Sequence, residues 1–206
     1  MNLWIEKATS AIFEHSLEKQ DFQRALDEWR FVGMEDNFEA NETCQLCDHY
    51  PIKYKYYIHN SLSGYEMFVG SECINKFSEN DLSLLDQNNT VVSRNTLSDS
   101  MKKTFKNSLL KYLKNFGTAN PEFDISIPVN LLQQYDGILS TRQVMFFKKP
   151  YDVANTEEKE LFHKCLKVNF RKSKSKSDFS VVQKEELWRF NFIKKFLSTD
   201  QKKRYM

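Results

Sequence analysis

The stretch "ETCQLCDHYPIKYKYYIHNSLSGYEMFVGSECINKF", Glu42 to Phe77, gathers Cys44, Cys47 and Cys73 from a 206-residue chain that has only 4 cysteines and 4 histidines. Free cysteine is among the most buried residue types, and that account suits Cys73 beside Ile74. It does not suit Cys44 and Cys47, which lie among Asn41, Glu42, Thr43, Asp48 and His49. Two thiols three residues apart in polar surroundings are placed to grip a soft cation rather than to fill a core.

Compartment decides which thiol chemistry is open. The opening "MNLWIEKATS" carries Glu6 and Lys7 and lacks the apolar run of a signal peptide, and no segment approaches the roughly 18 apolar residues of a membrane span. The expectation is a soluble, cytoplasmic protein with no membrane partner. In a reducing compartment a C-x-x-C serves a metal or a redox reaction, and the βαβ context of a redox motif is not visible here. Zinc is the expected cofactor.

The residues between the thiols supply the geometry of the site. Tyr54, Tyr56 and Ile58 alternate with Lys53, Lys55 and Tyr57 in strand periodicity. The polar "HNSLSG" then turns the chain, and "YEMFV" returns as a second strand ending at Gly70. Ser71 fits the N-cap of a short helix bearing Ile74 and Phe77 on one face, which puts Cys73 in a first turn where backbone N–H groups favour a thiolate. A C-x-x-C turn, a hairpin and a helix carrying the later ligand make a treble-clef zinc plan.

Trp29, "CQLCDH", "IKYKYYIHN" and "GYEMFVGSECINKF" together resemble a zinc-binding module of poorly characterised phage, viral and bacterial proteins, over about residues 20 to 78. Its pattern runs tryptophan, Cys-x(1 or 2)-Cys-Gly-His, aromatic hairpin, Val-Gly-Ser-x-Cys-Ile-x-x-Phe. The resemblance implies Cys44, Cys47 and Cys73 as ligands, His49 as the matched histidine, and Gly70 at the exit from the hairpin. The chain departs from it at Asp48, where the pattern has glycine. One helical turn past Cys73 stands Lys76, which cannot ligate while protonated. His49 is therefore the first choice for a fourth ligand and His59 the second, with water or the distant His163 and Cys165 after them; a core position is the simpler account of Cys165.

The remainder reads as helix, and the fold class expected is α+β, with a zinc-stabilised β-hairpin module attached to a mainly helical C-terminal half. "DFQRALDEWRFV" has Phe22, Ala25, Leu26 and Trp29 at helical spacing, with Trp29 expected in the core, and "SENDLSLLD" suggests a further short helix. "QNNTVVSRNTLSDS" reads as a linker, which sets the expected segments at residues 1–85, 86–100 and 101–206. Met101, Phe105, Leu109, Tyr112, Leu113 and Phe116 share one face of a helix that Gly117 should end, and "NPEFDISIP" reads as extended. Asn155 and Glu158 hold capping-box positions, "RKSKSKS" interrupts, and "DFSVVQKEELWRFNFIKKFL" makes one long helix. Leu-Ser-Thr-x-Gln occurs twice, with Ser140 and Ser198 as expected N-caps; shared cap chemistry explains this echo better than a repeat does.

Charge separates the two halves. Residues 1 to 100 hold 8 Lys and Arg against 17 Asp and Glu, and residues 101 to 206 hold 22 against 11, within a formal net charge of +2. Lys164, Lys167, Arg171, Lys172, Lys174 and Lys176, interleaved with Phe170 and followed by Trp188 and Arg189, combine phosphate-neutralising cations with stacking faces. DNA or RNA is thus the expected partner of the basic half. The alternative is a protein-binding adaptor or inhibitor whose acidic half covers a basic host protein. The chain has no P-loop, G-x-S-x-G, H-E-x-x-H or H-x-E with P-C-x-x-C, and no small-molecule substrate is indicated; the expectation is a non-enzymatic protein. Glu72 beside Cys73 is an ordinary neighbour of a ligand rather than a proton carrier.

Overall fold

A computed structural model describes residues 3–79, 82–170 and 173–206. The fold is mixed α+β, helix predominates, and the chain divides into two compact units, Met1–Thr104 and Phe105–Met206.

Unit 1 opens with α1 (Leu3–His15), which buries Trp4, Ala8 and Ile12 at every fourth residue. α2 (Phe22–Leu26) follows, its first turn capped by the Asp21 carboxylate, which accepts from the Arg24 N–H. The helix expected to reach Trp29 stops at Leu26. Trp29 instead begins β1 (Trp29–Asp36), which pairs antiparallel with β2 (Tyr54–Asn60) from Trp29 opposite Asn60 to Asp36 opposite Tyr54. Backbone pairing along a whole strand outweighs the weak propensity of a five-residue helix. A register shift between Phe31 and Gly33 lets Phe31 and Met34, three residues apart, both turn inward.

β2 and β3 (Glu66–Val69) form the expected hairpin, and α3 (Ser71–Glu79) follows. The Gly70 carbonyl accepts the first helical bond, from the Ile74 N–H, so Gly70 rather than Ser71 holds the cap position. Of the helix expected across "SENDLSLLD", Ser78 and Glu79 belong to the end of α3 and residues 80 and 81 lie outside the described residues, while Leu85–Asp86 is a short strand, β4, parallel to β1, not helix. The hairpin thereby belongs to a four-stranded sheet of order β3-β2-β1-β4. Leu84 is buried and its carbonyl accepts from Val92, which anchors this crossing.

A buried polar network locks unit 1. The Glu28 carboxylate accepts from the Leu17 N–H (2.8 Å), the Glu18 N–H (2.7 Å) and Asn60 Nδ2 (2.8 Å). Asn60 Nδ2 also donates to the His15 carbonyl, and its Oδ1 accepts from Leu62 and Ser63 in the hairpin turn. Trp29 Nε1 donates to Ser16 Oγ at 2.8 Å. Burial pulls the Glu28 pKa upward, but the bonds from Asn60, Glu18 and Leu17 outweigh it and hold it below the ordinary carboxylate value.

The boundary between the units falls inside α4 (Arg94–Ala119), which begins within the segment read as a linker. In unit 2 this helix buries Phe105, Leu109, Leu113 and Phe116. It also continues through Gly117, contrary to expectation. A Cβ there would lie 2.7 Å from Ile125 Cγ2, so this glycine permits a close crossing instead of ending the helix. The connector read as extended is short, because α5 (Ser126–Tyr135) starts before Pro128, and proline is tolerated in a first turn.

β5 (Ile138–Leu139) then pairs parallel with β6 (Lys167–Val168). Between them lie a 3-10 turn (Gln143–Phe147), α6 (Lys148–Val153) and α7 (Thr156–Cys165), the last opened by the expected Asn155–Glu158 capping box. The long final helix is split into α8 (Ser173–Glu185) and α9 (Leu187–Ile193), and α8 already begins within the Lys-Ser run. α10 (Thr199–Tyr205) opens on a Ser198–Gln201 capping box. Ser140 and Gln143 exchange the same pair of bonds ahead of the 3-10 turn, so the internal echo is shared cap chemistry. Phe162, fully buried, is met edge-on by Tyr112, Phe147 and Tyr151 at the centre of unit 2.

Three outcomes follow from this packing. Asn60→Ala strips one bond from a buried carboxylate and should cost about 1–3 kcal/mol in denaturant unfolding. Stability from Glu28 is complete above the unfolded carboxyl pKa of about 4.3 and is lost as pH falls through the lower folded value, so Glu28→Gln should flatten the acid limb of the stability curve. In unit 2, Gly137 has φ +76 and a Cβ there would lie 1.8 Å from the Cys165 carbonyl oxygen. Gly137→Ala should therefore destabilise by more than about 1 kcal/mol, read as a lower melting temperature.

Candidate metal centre and cationic surface

The C-x-x-C turn is built by local hydrogen bonds. The Asp48 N–H donates to the Cys44 carbonyl, and the Cys44 N–H donates to the His49 carbonyl, both at 2.9 Å. Asp48 adopts φ +60, in the left-handed region, and aspartate is among the few residues other than glycine that visit it routinely. Lys7 Nζ holds this corner through the Cys47 carbonyl and the Asp48 carboxylate, each at 3.1 Å. Gln45 ties the turn to β3 by exchanging bonds with the Phe68 backbone.

At the end of β3, a Cβ on Gly70 would stand 3.1 Å from Ile52 Cγ2 and 4.0 Å from Cys44 Cβ. The absence of a side chain lets the strand end close upon the thiol turn and brings the Gly70 N–H to 3.3 Å from Cys44 Sγ. Cys73 lies in the first turn of α3, where Trp4 Nε1 donates to its sulfur at 3.3 Å. Sequence reasoning missed Trp4, whose helical spacing with Ala8 and Ile12 marks it only as a core residue.

Cys44, Cys47 and Cys73 come together with all three sulfurs within 4.8 Å, close enough to hold a metal ion. Cys44 and Cys73 Sγ are 3.6 Å apart, and Cys73 and Cys47 Sγ are 3.1 Å apart. A tetrahedral ion about 2.3 Å from each sulfur separates sulfurs by roughly 3.8 Å, near the Cys44–Cys73 distance and longer than the Cys73–Cys47 distance. The hydrogen bond between Cys44 and Cys73 lowers the Cys44 pKa to about 5 against the opposing effect of burial, with help from the Gly70 N–H. The same bond and burial push the Cys73 thiol up.

The sulfurs face a cavity of about 620 Å³ also lined by Asp48, His49, Glu72 and Lys76. His49 contributes its backbone carbonyl to the turn and leaves its side chain exposed at the cavity, outside the sulfur cluster. His59 lies on β2 opposite Glu66, also outside the cluster. Lys76 Nζ sits 5.8 Å from the Trp4 ring. In unit 2, His163 Nε2 lies 3.1 Å from the Tyr151 hydroxyl, and Cys165 is partly buried, with burial raising its pKa to about 12.

Among the described residues, the expected cations of unit 2 occupy different surroundings. Lys164 is largely covered, paired with Glu160 and 4.3 Å from the Phe105 ring centre. Arg189 pairs with Glu186, while Trp188 is 58% exposed with Lys148 Nζ 5.8 Å from its ring centre. Lys167 and Lys176 instead line a cavity with Lys195 and Arg204, two residues that the expected basic set omitted although "KKF" and "QKKR" carry them. Arg171, Lys172 and the side chain of Lys174 lie outside the described residues. No helix of the described residues is long and apolar enough to cross a membrane.

Comparison with protein-family models, characterised proteins and solved structures finds no match to this chain.

Cobalt(II) added to the reduced protein should give thiolate-to-metal charge-transfer absorption saturating at one ion per chain. Cys73→Ser should abolish that absorption and Cys165→Ser should leave it intact. Absorption unchanged in Cys73→Ser would show that the three sulfurs do not act as one site.

Proposed function

We propose that this protein is a non-enzymatic, zinc-stabilised binding protein whose unit 1 is a treble-clef-like module and whose basic unit 2 contacts nucleic acid. The convergence of Cys44, Cys47 and Cys73 within 4.8 Å carries the first part. Zinc is the metal that suits three thiolates in a small closed turn, and it needs no redox chemistry from the protein. His49, at the rim of the same cavity, is the proposed fourth ligand. The order of C-x-x-C turn, hairpin and cysteine-bearing helix supports the resemblance to the phage, viral and bacterial zinc module.

Charge and exposed aromatic surface support the second part. Residues 105 to 206 hold 20 Lys and Arg against 11 Asp and Glu. Several of those acids are already engaged, Asp136 by Lys106, Asp178 by Arg142 and Glu122 by Lys149. Cations are therefore left over to meet phosphates, and Trp188 offers an exposed ring for stacking.

Metal analysis of protein purified without chelator should find zinc. Affinity for a short single strand should fall with salt at a log–log slope of about −0.7 per phosphate neutralised. Trp188→Ala should cost about 1–3 kcal/mol of single-strand affinity and leave the melting temperature unchanged. No binding to DNA or RNA at low salt would remove the nucleic-acid reading and turn the search toward a basic protein that fits the acidic unit 1.

A further inference from the structure

Lys167 at the start of β6, Lys176 on α8, Lys195 after α9 and Arg204 on α10 line one open cavity of about 920 Å³ in unit 2. That volume lies in the range of small-molecule sites, about 300–1,000 Å³. These cations are far apart in sequence and come from four different segments, so the fold of the unit, not a basic run, puts them together. Its apolar lining is made by Leu166, Val168, Phe170, Phe196 and Leu197, all buried in the core of the unit. Tyr205, half-buried and 5.0 Å from the Phe170 ring centre, brings an aromatic ring to the same space.

Polarity around the cavity is lopsided. Asp200 is the sole carboxylate among its lining residues. Lys167, Lys176 and Arg204 form no ion pair with the described residues, and Lys195 Nζ lies 5.6 Å from the Tyr151 ring centre. His163, also in the lining, feels the same field: partial desolvation first, then Lys195 and Lys202, depress its pKa despite an opposing effect from Glu160. Four fixed positive charges against one negative charge favour a multiply charged anion over a single carboxylate. Guanidinium and ammonium groups together are the usual means of holding a phosphate, and an apolar floor with an aromatic ring suits a flat ring system carried on it.

We propose that this cavity is a binding pocket for a nucleotide phosphate, carried by a free nucleotide or by the end of a nucleic-acid strand. It deepens the nucleic-acid reading of unit 2 and rests on it for the polyanionic class of ligand. What it adds is recognition of a terminal phosphate in a pocket, as distinct from sequence-independent contact along a strand.

The experiment uses the full chain and a short labelled oligothymidylate bearing either a 5′-phosphate or a 5′-hydroxyl, with thymidine monophosphate and thymidine measured separately by calorimetry. The phosphorylated strand should bind about tenfold more tightly than the hydroxyl form, the effect of a charge-assisted contact. Thymidine monophosphate should bind and thymidine should not. The Lys195→Gln/Arg204→Gln double variant should lose the discrimination with an unchanged melting curve, while Lys184→Gln, outside the cavity, should keep it. If the double variant does not fold, Lys167→Gln and the wild-type comparison of monophosphate with nucleoside decide the matter. Equal binding of both strands without binding of the monophosphate overturns the pocket and leaves the nucleic-acid reading standing. Binding of the monophosphate without either strand supports the pocket and removes that reading, and no binding of any probe overturns both.

Discussion

Three sulfur atoms brought within 4.8 Å of one another set the terms for unit 1. Cys44 and Cys73 are almost wholly buried, so water cannot relieve the repulsion that would follow if both lost their protons. N–H groups of Gly70 and Trp4 point at two of the sulfurs. Those donors come from the end of β3 and from α1, so the same contact that tunes the thiols joins distant parts of the chain.

The polar lock of Glu28, Asn60, Ser16 and Trp29 serves the other end of the same sheet. It fastens the loop after α1 to the hairpin turn, leaving α1 free to present Trp4 and Lys7 to the thiol corner at its N-terminal end. A buried carboxylate with three donors is stable only while every donor remains in place. Unit 2 is organised by packing instead. Phe162 and its edge-on partners form an apolar centre, the two short parallel strands tie Ile138–Leu139 to Lys167–Val168, and cations from four segments are left around one cavity.

Much of the candidate site was legible in the sequence because its chemistry is local. Cys-x-x-Cys fixes two sulfurs on one turn, alternation fixes the hairpin, and the apolar face of Ile74 and Phe77 fixes a helix that carries Cys73. The misses were of a different kind. Trp29 obeys helical spacing with Phe22, Ala25 and Leu26, yet it lies in β1, because a partner strand from residues 54–60 competes for its backbone. Gly117 looks like a helix end and is a contact with Ile125. Leu85 and Asp86 look helical and complete a sheet, since the strand they join is more than fifty residues away.

By itself the sequence determined the α+β class, the three cysteines, the hairpin between them, the capping boxes at Asn155 and Ser198, and the opposite charges of the two halves. Each is set by residue type, by spacing within a few positions, or by a sum over composition. Tertiary structure alone decided that β1 and β4 widen the hairpin into a four-stranded sheet, that Trp4 donates to Cys73, and that Lys167 and Lys176 join Lys195 and Arg204 instead of Trp188 and Arg189. These depend on which distant segments bury apolar surface together and satisfy backbone hydrogen bonds across the fold, and no local pattern encodes that choice.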